Sequence, residues 1–305
     1  MGSMPPPFVW SHVLRQWHVG WLPCVLLAAA CLMYLMGVRR LQCWPTWRTA
    51  SFVAGIIASF LGTQSVLGVY DMYLFSAHMV QHLMLIMVAA PLFALSAPLD
   101  LASLALRGKA KARVDWFIDG PVGAIVLHPV FGFITYAVFI PLTHLSGLMN
   151  LMMEHLWFHH LEQVAFILVG YLFFRIVFGI ERAPLRLHPG LRLVFLMAAV
   201  PIDTFTGLAL AMSSHNPYPV YNTLRRGWGP SVLEDVRTGG AIMWIGGDAL
   251  MLLAMIPATA IWVRYEERRA KEIDAELDAA DPSRTSASNG MTMRSDVEAA
   301  ARGGV

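Results

Sequence analysis

Charge is what this 305-residue chain has least of. Only 14% of its residues are Asp, Glu, Lys or Arg, against 57% hydrophobic, and mean hydropathy is +0.56. Soluble domains carry about 25% charged residues, so the composition points away from a soluble globule and toward a polytopic membrane protein. Lysine is nearly missing. Lys109, Lys111 and Lys271 are the only three, and none lies in an apolar run, which excludes a retinal Schiff base. Cysteine is as scarce: Cys24, Cys31 and Cys43 form no CxxC and no paired framework, and the first two read as small hydrophobes on one helix. There is no nucleophile with a paired base, no metalloprotease helix motif and no phosphate-binding glycine loop, so catalysis has no support. A net charge of +2 gives no reason to expect nucleic acid as a partner. The first twenty residues lack the charged n-region and cleavage site of a secretory leader, so none is expected.

What the chain does have is long apolar runs. They fall at about 21–38, 49–68, 72–95, 122–143, 156–178, 191–212 and 241–263, each long enough to cross roughly 30 Å of hydrocarbon. The expected fold is therefore all-α, with seven transmembrane helices. The stretch 98–120 mixes leucines with Arg107, Lys109, Lys111 and Arg113 and reads as a helix lying at the interface. Residues 1–20, Pro-rich with Trp10 and Trp17, form an N-terminal segment suited to that interface. Residues 21–264 make the transmembrane domain. From 265 to 305 a charged helical extension gives way to a Ser-, Thr-, Asn- and Gly-rich tail expected to be disordered.

Basic residues set the orientation. One set of loops holds fourteen, among them Arg39, Arg40, Arg182 and Arg268, and the other side holds four, Arg15, Arg225, Arg226 and Arg237. Positive charge favours the cytoplasm, so the N-terminus is expected outside and the C-terminus inside.

With that orientation the histidines crowd toward one leaflet. His78 and His82 enter span 3 from the outer end, four residues apart and therefore on one helical face. His155 and His159 repeat the spacing at the start of span 5, and Glu162 continues their face. A single intramembrane histidine is often only hydrogen-bonded to a neighbouring helix, but two such pairs on one side point to function. Two facing helices could thus supply three or four nitrogen and oxygen ligands, a set suited to copper, zinc, iron or nickel. Thioethers lie near, Met79 on span 3 among them, and methionine selects Cu(I). The expected metal set is His78, His82, His155, His159, Met79 and Glu162. His160, Asp203, Asp248 and His215 are expected as supporting polar groups, since buried carboxylates need partners and metal-bound imidazoles need acceptors. His144 is left undecided between ligand and packing. By helix rise His82 lies deeper than His159, which makes His78 the better placed to share a site with span 5.

Four stretches carry a family resemblance: HMVQHLMLIMVAAPLFALSAP at 78–98, EHLWFHHLEQVAFILVGYLFF at 154–174, PIDTFTGLALAMSSHNPYPVY at 201–221 and GGAIMWIGGDALML at 239–252. With these the chain resembles the CtaG family of seven-span membrane proteins, associated with assembly of copper-containing cytochrome c oxidases in bacteria. The resemblance implies a bacterial plasma-membrane protein whose partners are cytochrome c oxidase subunits and membrane lipids, with copper as the ligand and metal positions at His78, His82, His155 and His159. Copper delivery by ligand exchange would want a shallow, open site. A b-type haem held between spans 3 and 5, copper or ion transport, zinc in place of copper, and self-association of the chain stay open at this level.

Overall fold

The computed structural model describes residues 4–9, 11, 15–224 and 226–280. Among them the regular structure is helical throughout, with fifteen α-helices and two π-helical turns. The expected disorder of the tail, and the roles given to Trp10 and Arg225, fall outside the described residues.

The first helices are α1 (Trp21–Arg39), α2 (Thr46–Gln64) and the single turn α3 (Val66–Tyr70), which Ser65 caps by accepting from the Leu67 N–H. Span 3 is built from α4 (Phe75–Leu83), a π turn (Met84–Ala89) and α5 (Ala90–Ser96). Pro91 explains the π turn. It has no N–H for the carbonyl four residues back and its ring presses against that carbonyl, so the preceding turn widens. Ala97 then takes a left-handed conformation, φ 51°, and the chain turns into α6 (Pro98–Ala105).

The expected interfacial helix is two helices, α6 and α7 (Gly108–Asp119), broken at Leu106–Arg107. The expected fourth span is also broken. It comprises α8 (Pro121–Val126) and α9 (Pro129–Leu145), interrupted where His128 accepts from the Val130 N–H before Pro129. The remaining helices are α10 (Leu148–Glu154), α11 (Leu156–Phe178), α12 (Pro189–Ala211), α13 (Pro219–Thr223), α14 (Val232–Ala241), a second π turn (Ile242–Gly246) and α15 (Gly247–Ala280). His188 opens α12 as His128 opens α9, by accepting from the Gly190 N–H. These two histidines cap helices.

Six of these helical stretches are long and apolar enough to cross a membrane. A seventh crossing is reached if α9 and α10, which meet at a 71° bend, count as one broken span. The protein is thus all-α and multi-pass.

Residues up to Ala258 form one compact unit. In it α5 lies between α2 and α11, α4 packs on α14, and α9 lies against both α11 and α12. Glycine sets two of these approaches. A Cβ on Gly170 of α11 would stand 2.7 Å from the Ala90 Cβ and 2.9 Å from the Ile86 carbonyl oxygen. A Cβ on Gly207 of α12 would stand 2.8 Å from the Gly240 carbonyl oxygen of α14. Small residues let membrane helices meet backbone to backbone. The Gly170 contact brings the face of α11 bearing His159 and Glu162 against span 3.

Toward the opposite end of α11, buried Arg175 is held by Glu181 (3.3 Å) and donates to the Leu127 and Arg182 carbonyls. Glu181 also accepts from Tyr171 Oη and the Leu99 N–H, and burial raises its carboxyl above the usual range. The second unit begins at Thr259. Its described part is the exposed, charged end of α15, where the Trp262 indole donates to Glu266 at 2.9 Å.

Candidate metal centre

The site begins with two helical faces. Residues 78, 81 and 82 share one face of α4, and residues 159, 162, 163 and 166 share one face of α11, by the i, i+3, i+4 rule. Both faces are apolar elsewhere and turn inward, so the polar groups meet in the core. His78, His82, His159 and Glu162 are all buried, with His78 at 0% and Glu162 at 1% exposure.

Within this cluster the ligand atoms of His78, His82 and Glu162 lie within 4.8 Å of one another. His82 Nε2 is 3.4 Å from Glu162 Oε1, and His78 Nε2 is 3.7 Å from Oε2. The His78 ring stands 4.2 Å from that of His82 and 5.3 Å from that of His159, centroid to centroid. None of these approaches is a hydrogen bond. Both nitrogens of His78, Nε2 of His82, Nε2 of His159 and both oxygens of Glu162 are buried without a hydrogen-bond partner. An unsatisfied buried polar group costs about 1–3 kcal/mol, and more when charged. His78, His82 and Glu162 each bring one such atom to a common point, which is expensive unless a cation belongs there. Ligands about 2.1 Å from one ion, at the tetrahedral angle, stand roughly 3.4 Å apart. The His82–Glu162 separation of 3.4 Å matches that spacing, and the His78–Glu162 separation, to the other carboxylate oxygen, is longer at 3.7 Å.

Surrounding groups hold the ligands in place. The His82 ring stacks on Phe166 at 3.8 Å, and its Nδ1 lies 3.3 Å from Nε2 of His144. Tyr218 Oη donates to the His144 carbonyl at 2.5 Å, and its ring stacks on Phe75 at 4.8 Å. His159 Nε2 lies 3.6 Å from Asp71 Oδ2, in the turn between α3 and α4. Asp71 accepts from Gln81 Nε2 and the Met72 N–H, each at 2.7 Å. Burial pushes its carboxyl up to about 6, with His78 and Gln81 pulling the other way. Gln163 donates to Gln81 Oε1 at 3.4 Å. From α14, Asp235 accepts from the Phe75 N–H (2.7 Å) and Ser76 Oγ (2.6 Å) and so caps α4.

The remaining expected residues are placed elsewhere. His155 is exposed and stands outside the cluster, because it is the N-cap of α11 with extended backbone (φ −128°, ψ 108°), so helical i, i+4 alignment with His159 does not reach it. Met79 is buried and packs toward Gly239 of α14. His160 lies 3.5 Å from Gln163, and His215 is exposed in the loop after α12. Asp203 and Asp248 serve other helices: Asp203 accepts from Tyr136 Oη at 2.6 Å, and Asp248 from Thr204 Oγ1 at 2.9 Å. The site is also closed rather than open. Tyr218 and Tyr221, both 1% exposed, reach the His144 and Asp71 carbonyls from the segment after α12.

Two supporting residues, Asp71 and Gln81, are missing from the set expected from the sequence. Asp71 sits in a turn, where neither hydropathy nor periodicity marks it. Gln81 was detectable, since it lies between the two histidines on their own face.

The chain is 28% identical to an uncharacterized Mycobacterium leprae protein, ML1998, and 27% identical to an uncharacterized Mycobacterium bovis protein, Mb0105. Each alignment covers 91% of this chain and 44% of the relative, so the chain spans less than half the length of the curated relatives it matches. No solved structure matches. Residues 32–265, from within α1 to within α15, match the family described as cytochrome c oxidase caa3 assembly factor. The chain belongs to that family, Caa3_CtaG.

Proposed function

We propose that this protein binds copper at the His78–His82–Glu162 cluster, with His159 beside it, and passes the ion to cytochrome c oxidase during assembly. Copper is here cargo. Family membership supplies the oxidase, and the convergence of unpartnered imidazole and carboxylate atoms in a membrane-embedded core supplies the metal. That convergence is the single observation carrying the proposal. Imidazole suits copper in either oxidation state, and Met79 on the same helix offers a thioether for Cu(I) should the helix turn during transfer. In the orientation expected from the positive-inside rule the cluster would lie toward the outer face of a bacterial plasma membrane, where the apo oxidase would receive the ion. Loading requires the Tyr218–Tyr221 segment to move, because the ligands are buried beneath it. The role is one of binding and transfer, without catalysis.

A strain carrying His78→Ala and His82→Ala tests this. Its cytochrome c oxidase should assemble deficient in copper, whereas oxidase of normal copper content would contradict the proposal.

One observation favours a second reading. Two histidines and a glutamate are also a donor set that zinc accepts. Metal analysis of the purified chain separates the two.

A further inference from the structure

The geometry points to His144 as the residue that decides which nitrogen His82 presents to the metal, an inference that rests on reading the cluster as a metal site. The tautomer is set at a backbone carbonyl. His144 Nδ1 lies 2.8 Å from the Ile140 carbonyl oxygen, one turn back in α9. A carbonyl can only accept, so Nδ1 of His144 carries the proton. Thr143 Oγ1, 3.0 Å from the same nitrogen, directs its own hydroxyl toward the Phe139 and Ile140 carbonyls and leaves a lone pair facing His144. In neutral His144 the proton on Nδ1 leaves Nε2 bare.

That bare Nε2 is 3.3 Å from Nδ1 of His82. For a hydrogen bond to form there, His82 must donate, so its proton sits on Nδ1 and its Nε2 is free. The free Nε2 is the atom that faces Glu162 at 3.4 Å. The opposite tautomer would set two lone pairs against each other at the His82–His144 contact. Metal-bound imidazoles are commonly oriented by an acceptor on the other nitrogen. Here a second histidine fills that place, itself fixed by the backbone of α9. His144 is thus a positioning residue. Its Nε2 lone pair is already engaged by His82, and the Tyr218 bond to its backbone carbonyl survives any change of side chain.

The test uses the full chain in detergent, loaded with copper, and compares wild type with His144→Phe and His144→Gln. Phenylalanine removes the acceptor, while glutamine can return a carbonyl oxygen to it. Copper affinity by chelator competition should fall about 10–100-fold in His144→Phe and recover to within about threefold of wild type in His144→Gln. Nitrogen-15 shifts of His82 in the metal-free protein should show a single Nδ1–H tautomer in wild type and in His144→Gln, and a mixture in His144→Phe. Equal affinity in wild type and His144→Phe would overturn the role, as would a His144→Gln variant as weak as His144→Phe. Wild type that holds no copper would instead overturn the metal reading on which the role depends.

Discussion

His82 Nε2 and Glu162 Oε1 face each other across 3.4 Å inside the helical core, both buried and both without a hydrogen-bond partner. Each is an acceptor in the tautomer that His144 imposes on His82. Two lone pairs held together in a low-dielectric setting call for a cation between them. Other polar groups of the core are hydrogen-bonded in the ordinary way: Asp203 to Tyr136, Asp248 to Thr204, Gln81 to Asp71. Beyond the four side chains that would hold the ion, buried side-chain atoms without a hydrogen-bond partner occur among the described residues only singly, at Arg48 Nε and Arg226 Nη1.

Replacing Glu162 by Gln should therefore have opposite effects on binding and on stability. The amide can donate to His82 Nε2 and removes a buried charge. Copper binding should be lost, while the metal-free protein melts about 2–4 °C higher for each kcal/mol relieved. A lower melting temperature of the metal-free variant in thermal unfolding would contradict the strain described for the cluster.

Asp235 ties the site helix to α14, and its loss should be felt widely. It caps α4 through Phe75 and Ser76 and also meets Arg226, whose side chain is 4% exposed, at 3.5 Å. Asp235→Ala leaves that arginine unpaired and should cost about 3–5 kcal/mol. Adding Arg226→Leu should recover part of the loss, as a double-mutant cycle in thermal unfolding would show.

Close packing of α11 on span 3 predicts a penalty for even one added carbon. Gly170→Ala puts a Cβ 2.7 Å from that of Ala90. Overpacking of this kind costs about 1–3 kcal/mol. Copper affinity should fall with it, because the same approach brings Glu162 to His78. An unchanged affinity in the destabilised variant would show that the cluster tolerates the shift.

Much of this architecture is legible in the sequence. Hydropathy alone marked the spans, and the four-residue spacing of His78 and His82 placed both on one face. Glu162 followed from the face of span 5. His155 falls outside the cluster because helix boundaries are set by local capping: at an N-cap the backbone is extended and helical spacing predicts nothing. His144 and Asp71 were beyond reach for a different reason. Their roles depend on which helices become neighbours, and a backbone carbonyl that fixes a tautomer leaves no trace in residue order. The break of span 4 at Val126–Pro129 shows the same limit, since apolar composition runs straight through it.

An acid-dependent contribution should appear at the other end of the protein. Asp115 is held down to about 2 by Lys111 (2.6 Å), Ser103 and Arg182 (3.1 Å). A carboxyl whose folded pKa lies below its unfolded value stabilises the fold above the unfolded value, near 3.8, and loses that contribution as pH falls toward 2. Wild type should outlast Asp115→Asn above pH 4, and the gap should close through that window. A gap independent of pH would mean the ion pairs contribute nothing.

Metal content of the purified chain, measured beside the His78→Ala/His82→Ala variant after loading under Cu(I) conditions, is the most direct measurement of all. Wild type should carry about one copper per chain and the variant almost none. A wild-type protein without copper, or a variant that retains it in full, would contradict a copper site in this cluster.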